Sequence, residues 1–300
     1  MRLSENTKGE LYILGESLLW SAFPVVTILS YSTLNPVATL SWSTLFACVF
    51  FGFVMLIKGK AREILNPKIW PMIFLPAIFI GWLFYGFYFT GLKYTTAGNA
   101  GIIALMELFF SYLLFNVWKK ELFEQKHVFG AALMLLGALV VLFPKYGLSF
   151  HSGDLLVLAA TMFSPFGNYY QQKLRKLVSS ETILFLRSLL TFPFVFFLAF
   201  VLKLSPGWHG VSSHLWLLIL NGVVLLGLSK IWWLEGIHRI SVTKANALAV
   251  VAPLLTLFFA AIFLHQKPTF WQLLAFVPMA AGLLLLTYKK SAAVEAAAQV

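Results

Sequence analysis

Apolar runs of about 20 residues, each long enough to cross the roughly 30 Å of bilayer hydrocarbon as an α-helix, recur along the whole chain. They constrain the fold more than any other feature. Only 11% of the 300 residues are charged and 60% are hydrophobic, whereas about a quarter of the residues in soluble domains are charged. Short strands of alternating polarity, which a membrane barrel needs, are not visible. The sequence therefore predicts an all-α integral membrane protein.

Ten apolar runs predict ten transmembrane helices joined by short connections, which leaves no soluble domain. Their predicted bounds are 9–31, 36–57, 70–92, 97–118, 127–144, 154–174, 181–203, 214–237, 243–264 and 268–288. The first residues lead straight into a helix without a small-residue cleavage site, so we expect no removable signal peptide. Residues 291–300 are predicted to be a disordered tail.

Lysine and arginine are distributed unequally between the two ends of the predicted helices. Sixteen lie on the side that would hold both termini, and four (Lys93, Lys145, Lys203 and Lys267) lie on the other. Short loops rich in these residues stay in the cytoplasm. We therefore expect both termini to be cytoplasmic, in a multi-pass protein of the bacterial inner (plasma) membrane. This asymmetry explains the net charge of +11, and we expect no nucleic-acid partner because no loop is long enough to read one.

The two halves of the sequence resemble each other. An alignment that pairs Ala100 with Ala245 also pairs Gly91 with Gly236 and Gly137 with Gly282. Five helices per half is an odd number, so the second half must enter the membrane from the opposite face. The result is an inverted repeat, a common plan among transporters. The predicted repeats are residues 1–146 and 147–290.

The second half also resembles a known family. The stretch ISVTKANALAVVAPLLTLFFAAIFLHQKPTFWQLLAFVPMAAGLLLLT is similar to the EamA repeat of the drug/metabolite transporter superfamily. It has small residues at the start of a helix, Pro253 inside that helix and Gly282 in the last one. The family's Leu-Gly-Glu turn reads Leu-His-Gln here, with Gln266 in place of the acid, whereas Glu121 keeps the acid in the first half.

The resemblance covers about residues 8–288 and extends to the first half through Trp20 and Gly137. It implies a ten-helix carrier whose central cavity is lined by the fourth and ninth helices. It also implies that the fifth and tenth helices are peripheral, where they offer a face for homo-oligomers.

Four ionisable residues lie inside predicted helices without a charged neighbour at helical spacing: Glu16, Glu107, Arg187 and Lys230. A charge at the bilayer centre costs about 3 kcal/mol or more, so each must meet a partner on another helix, water or substrate. Two interpretations remain open. The residues form structural ion pairs, or they line a polar cavity where at least one meets substrate or a proton. Glu235 differs, because a base four residues on can pair with it locally.

Aromatic residues share helix faces with these charges. Trp20 lies four residues from Glu16 and Trp233 three from Lys230, while the third helix carries Tyr85 and Tyr88 along one face. A cavity with ring faces and a few polar groups suits small aromatic or amphipathic solutes. The predicted substrate-binding residues are Glu16, Trp20, Tyr85, Tyr88, Glu107, Lys230 and Trp233, with Glu107 and Glu16 as candidates for proton coupling.

No phosphate-binding loop, redox cysteine pair, catalytic triad or metal-ligand cluster is visible in the sequence, and the lone Cys48 cannot form an internal disulfide. We therefore expect no catalytic residues, no cofactor and no metal, and a driving force that comes from gradients.

The first hypothesis is a secondary transporter of small polar metabolites, above all amino acids, since an acid and a base at one cavity match a zwitterion. The second is a carrier of nucleobases, nucleosides or flavin-like heterocycles. A third, of another class, is a lipid-handling or structural membrane protein.

Overall fold

A computed structural model describes residues 4–119, 125–143, 151–204, 208–240 and 242–287, and every regular element in these ranges is helical. The main helices are α1 (Glu5–Ser30), α2 (Pro36–Ile57), α3 (Trp70–Leu92), α4 (Ala97–Ile103 and Met106–Lys119), α5 (Gln125–Leu142), α6 (Ser152–Leu174), α7 (Ser180–Val201), α8 (Leu215–Arg239), α9 (Val242–Ala249 and Ala252–Phe263) and α10 (Phe270–Thr287). Glu121, the predicted boundary between the repeats and the predicted tail 291–300 lie outside the described residues.

Each helix lies within a few residues of its predicted bounds, which confirms the all-α architecture. Eight of them, α1 to α5 and α7 to α9, are long and apolar enough to cross a membrane. The apolar part of α10, Phe270–Leu286, is shorter, and α6 is not among the eight. Ten membrane spans and cytoplasmic termini therefore stay predictions.

Polar residues in the connections set where several helices begin. The side chains of Ser4, Asn35, Thr96 and Ser179 each accept a hydrogen bond from the backbone N–H three residues on. This satisfies one of the backbone donors that the first turn of a helix leaves free. The starts of α1, α2, α4 and α7 are thus encoded locally by their capping residues.

Glycines bring helices of one half against helices of the other. A Cβ placed on Gly91 of α3 would lie 2.9 Å from the carbonyl oxygen of Gly153 in α6. A Cβ on Gly236 of α8 would lie 2.7 Å from Cγ1 of Ile13 in α1. Gly91 and Gly236 are the pair matched by the internal alignment, so equivalent positions make equivalent contacts across the halves. The two repeats interlock instead of folding side by side.

Helices α5 and α10 pack closely along their length. A Cβ on Gly130 would lie 2.8 Å from the carbonyl oxygen of Gly282, and a Cβ on Gly137 would lie 2.7 Å from that of Ala275. From Gly130 to Gly137 the residue numbers in α5 rise, while those of the contacted residues in α10 fall from Gly282 to Ala275. These repeat-related helices are therefore antiparallel, as an inverted repeat requires. Their outer faces carry exposed side chains such as Phe129, which agrees with the expected peripheral position.

The connection between α2 and α3 is held to the start of α7 by hydrogen bonds. It contains the 3₁₀ helix Ala61–Leu65. Glu63 in this helix accepts hydrogen bonds from the backbone N–H and hydroxyl of Ser179, both 2.7 Å, and from the hydroxyl of Thr182 at 2.8 Å. Burial alone would raise the pKa of Glu63, but these hydrogen bonds and Lys60 hold the pKa below its ordinary value.

Candidate functional site

A cavity of about 120 Å³ lies among the helices and brings together side chains from both halves. All seven predicted substrate-binding residues line it: Glu16, Trp20, Tyr85, Tyr88, Glu107, Lys230 and Trp233. They come from α1, α3, α4 and α8. Their role in binding stays a prediction, but they form one site.

Lys230 forms an ion pair with Glu16 inside this cavity. Its Nζ lies 2.7 Å from Oε1 of Glu16, and the side chains are 14% and 4% exposed, respectively. The same Nζ lies 3.4 Å from the centroid of the Trp20 ring. The ammonium is therefore held by a carboxylate and by a ring face, both on α1. Of the two carboxylates that line the cavity, Glu16 and Glu107, Lys230 therefore pairs with Glu16.

The surroundings of Lys230 differ in part from the sequence prediction. The indole beneath its ammonium belongs to Trp20, while Trp233 lines the cavity elsewhere. Leu226 and Ile237, which helical spacing places on the same face of α8 as Lys230, are buried in apolar packing and do not line the cavity. Fewer side chains of α8 therefore line the cavity than its helical periodicity predicts.

Glu107 and Arg187 are joined by two amide side chains and not by a direct ion pair. Asn168 donates to Oε1 of Glu107 at 2.7 Å, and Gln171 donates to Oδ1 of Asn168 at 3.2 Å. Nη1 of Arg187 donates to Oε1 of Gln171 at 3.0 Å. Of the two structural ion pairs considered from the sequence, the described residues contain one, Glu16–Lys230.

The bridging amides Asn168 and Gln171, both on α6, are functional candidates that the sequence reasoning missed. Two amides three residues apart in one helix share a helix face. That spacing was the available signal. Ser164, one turn earlier, accepts from Asn168 at 3.2 Å, so the polar face of α6 extends over two turns.

Stacked aromatic rings form one wall of the cavity. The rings of Trp20 and Phe84, which line the cavity, are stacked with 6.5 Å between their centroids, and the Phe84 ring is 5.4 Å from that of Tyr88. Phe23, which is not a lining residue, stacks on Trp20 at 4.5 Å. The hydroxyl of Tyr88 is buried and has no hydrogen-bond partner among the described residues. A buried hydroxyl that points to no partner is costly unless a ligand or water satisfies it.

Irregular helix geometry positions these side chains. Helix α4 is interrupted between Ile103 and Met106, which places Glu107 in the first turn of its second segment. Helices α3 and α8 contain π-helical stretches: Ala77–Phe84 ends at the residue before Tyr85, and Leu220–Leu228 ends two residues before Lys230. Such interruptions of α-helical hydrogen bonding occur often at functional sites.

Small residues close the gap between α4 and α9 on one side of the cavity. A Cβ on Gly101 would lie 3.1 Å from the Thr256 side chain, and a Cβ on Gly98 would lie 2.9 Å from that of Gln272 in α10. Pro253 and Thr256 of α9 line the cavity beside Gly101. The fourth and ninth helices thus border the cavity, as the family resemblance implied.

Two further carboxylates lie away from the cavity. Glu235 pairs with Arg239 at 2.5 Å, as predicted, and also with Arg175 at 3.0 Å. Asp154 is buried and accepts hydrogen bonds from Asn99 at 3.1 and 3.3 Å and from Thr95. Sequence reasoning did not select Asp154, because an acid in the first turn of a helix is ordinary.

Among the described residues, no group of three or more His, Cys, Asp and Glu side chains is arranged to hold a metal ion. The cavity is lined instead by two carboxylates, two cations, three amides (Asn168, Gln171 and Asn246) and several aromatic rings. Groups of this kind bind and orient a small solute through charge, hydrogen bonds and ring faces.

The family model of EamA-like transporters matches residues 7–143 and 151–288, one copy in each half. The resemblance deduced from the sequence is thereby confirmed. No curated protein matches the sequence. Among the solved structures that match, a crystal structure covers 93% of this chain and 96% of its own, with a TM-score of 0.69 and 18% sequence identity. At that identity the likeness shows a shared fold.

Proposed function

The chain belongs to the EamA-like transporter family, and we propose that it is a secondary transporter of small polar metabolites, above all amino acids. It would move them across the inner (plasma) membrane of a bacterium by alternating access, driven by a gradient. The observation that carries this proposal is the meeting of Glu16, Lys230 and Glu107 in one cavity with stacked aromatic rings. Charges of both signs at one site match a solute that carries both signs itself.

The charge balance of the cavity supports a zwitterion. Glu16 is compensated by Lys230 at 2.7 Å, and Arg187 is linked to Glu107 through neutral amides. A ligand with one net charge would pair with the group of opposite sign and leave the group of its own sign without a partner, whereas a zwitterion provides a partner for both. Uncompensated charges inside a membrane protein are expensive.

Glu107 supports a role in coupling to a proton gradient. Among the described residues its carboxylate contacts the neutral Asn168 and no cation at ion-pair distance. A carboxylate that is not locked to a cation can exchange a proton as water access changes between the two sides. Glu16 is the second candidate, since release of Lys230 would free it in the same way.

Transport of nucleobases, nucleosides or flavin-like heterocycles is the second candidate function. The stacked rings of Trp20 and Phe84, both in the cavity lining, and the hydroxyl of Tyr88, unpartnered among the described residues, favour it. A planar heterocycle gains from stacking, and its ring nitrogens or carbonyls would satisfy the hydroxyl. The Glu16–Lys230 pair would have no direct partner on an uncharged base, which makes this candidate the weaker one.

A thermal-stability screen of the purified protein against amino acids, nucleosides and vitamins tests the proposal. Ligands that bind the folded protein raise its melting temperature by mass action. Hits are then measured as labelled uptake into proteoliposomes under a pH gradient, with protein-free liposomes as the control. We expect amino acids to stabilise the protein and to be transported. Stabilisation and uptake confined to nucleosides would replace the first candidate by the second.

A further inference from the structure

The ammonium of Lys230 occupies a binding site that its own helix does not form. Both groups that hold it, Oε1 of Glu16 at 2.7 Å and the Trp20 ring at 3.4 Å, belong to α1, while Lys230 belongs to α8. A carboxylate beside an aromatic face is a general site for organic ammonium groups. We call Glu16 and Trp20 the ammonium seat. In this structure a side chain of the protein fills it.

The seat lies within the cavity and is shielded from water. Glu16, Trp20 and Lys230 all line the cavity, and Glu16 is only 4% exposed. The lysine side chain is a flexible four-carbon stem, so its ammonium can leave the seat and still remain in the cavity. A ligand can therefore exchange with Lys230 without movement of a whole helix.

Removal of one member of a buried ion pair leaves the other uncompensated, which is strongly unfavourable. A simple amine in the seat would expel Lys230 and give it no new anion. A simple carboxylate that attracts Lys230 would leave Glu16 alone. A zwitterion does neither, because its ammonium compensates Glu16 while its carboxylate compensates the released lysine.

We propose that the Glu16–Lys230 pair is a filter for zwitterions, into which the substrate inserts. The substrate ammonium takes the place of the Lys230 ammonium on Glu16 and Trp20, and Lys230 turns to hold the substrate carboxylate. The pair closes again when the substrate leaves, so neither Glu16 nor Lys230 is left without a countercharge in the empty cavity. This inference rests on the proposed function and explains why the cavity would bind amino acids but not simple amines or simple carboxylates.

Three probes of one shape test the filter in the wild-type protein: phenylalanine, 2-phenylethylamine, which lacks the carboxylate, and 3-phenylpropanoate, which lacks the ammonium. Binding is measured by calorimetry and by the shift in melting temperature. We expect phenylalanine to bind at least about tenfold more tightly than either analogue. Equal binding of phenylalanine and either analogue would overturn the filter.

Single variants should reverse the selection. In Lys230→Met the seat is vacant, so 2-phenylethylamine should now bind and raise the melting temperature by about 3 °C or more. In Glu16→Gln the lysine is released, so 3-phenylpropanoate should gain binding instead. A gain of affinity for opposite analogues cannot come from misfolding. If neither variant gains affinity for its analogue, Lys230 is a structural partner of Glu16 and the filter is wrong.

Lys58→Met is the matched control, because Lys58 pairs with Glu181, whose side chain is also only 4% exposed but does not line the cavity. It strands a buried carboxylate of the same kind without an aromatic face. We expect no gain in amine binding for this variant. An equal gain in Lys58→Met and Lys230→Met would mean that amines bind any stranded carboxylate, and it would overturn the seat.

Propylammonium chloride separates the filter from the proposed function. It replaces the part of the side chain that Lys230→Ala removes, and it needs no transport assay. If it stabilises Lys230→Ala while no amino acid binds the wild type, the seat exists and amino-acid transport is wrong. If phenylalanine binds the wild type, but propylammonium does not stabilise Lys230→Ala and 2-phenylethylamine does not bind Lys230→Met, the proposed function stands and the filter is wrong.

Discussion

The side-chain amide of Asn168 donates a hydrogen bond of 2.7 Å to Oε1 of Glu107, so a neutral group on α6 holds a carboxylate on α4. Glutamine has the shape of glutamate, and its carbonyl oxygen can still accept from Asn168. We therefore expect Glu107→Gln to fold and insert normally but to lose net uptake, because it cannot exchange a proton. Uptake into proteoliposomes and the melting temperature measure the two effects.

Glu10→Gln is the control for Glu107→Gln. Glu10 lies on α1 and pairs with Lys244, and neither side chain lines the cavity. Its uptake should match that of the wild type. Wild-type uptake kinetics in Glu107→Gln as well would remove Glu107 from the coupling mechanism.

The ion pair between Lys230 and Glu16 makes a prediction about stability. Lys230→Met leaves the carboxylate of Glu16 without its partner, and we expect the free energy of unfolding to fall by about 3 kcal/mol. The double variant Glu16→Gln/Lys230→Met should recover most of that loss but not selective transport. Thermal or denaturant unfolding in detergent measures the stability. Full transport by the double variant would show that the pair is purely structural.

The excess of Lys and Arg at one set of helix ends predicts that both termini are cytoplasmic. Fusion of a reporter that is active only in the cytoplasm to Met1, and separately to Val300, tests this arrangement. Both fusions should be active. Activity of only one would mean an odd number of spans and would end the ten-span topology.

Glu63 predicts a pH dependence of stability with a defined sign. Its folded pKa is lowered, so its contribution is complete above the pKa in the unfolded chain, about 4.3. The contribution is lost as the pH falls through the folded pKa. We expect Glu63→Gln to be less stable by about 1 kcal/mol at neutral pH, and the difference from the wild type to disappear in acid. A difference that does not change with pH would show that the carboxylate charge is unimportant.

Two glycines of α3 predict opposite effects of the same substitution. An added Cβ meets nothing within 4 Å at Gly86, but at Gly91 it would lie 2.9 Å from the Gly153 carbonyl oxygen. Gly86→Ala should stabilise by about 0.5–1 kcal/mol, while Gly91→Ala should destabilise by about 1–3 kcal/mol. The melting temperatures of the two variants test this prediction: that of Gly86→Ala should rise and that of Gly91→Ala should fall. A neutral Gly91→Ala would mean that α3 and α6 are not held in close contact.

Helix positions were predictable because the length and apolarity of each segment are properties of the local sequence. The residues of the cavity were predictable for a related reason, since charges such as Lys230 cannot face lipid. Which side chain each charged residue of the cavity contacts was not predictable from the sequence, because that depends on which helices of the two halves pack together. The amide bridge through Asn168 and Gln171 and the burial of Asp154 result from that packing.

The interlocking of the halves has a consequence for how the protein is made. Glu16 and Lys230 are 214 residues apart, and at about 5–20 residues per second translation takes about 10–40 s to cover that distance. During this time α1 is already synthesised with an acid whose countercharge does not yet exist, and Gly9 of α1 lacks α8, where Gly236 and Arg239 lie against it. Until α8 is made, Glu16 has to be hydrated or protonated, because an uncompensated charge inside the bilayer is unfavourable. Assembly is complete only when α8 arrives, so a ribosome that stalls before Lys230 would leave a membrane-bound acid for quality control to recognise.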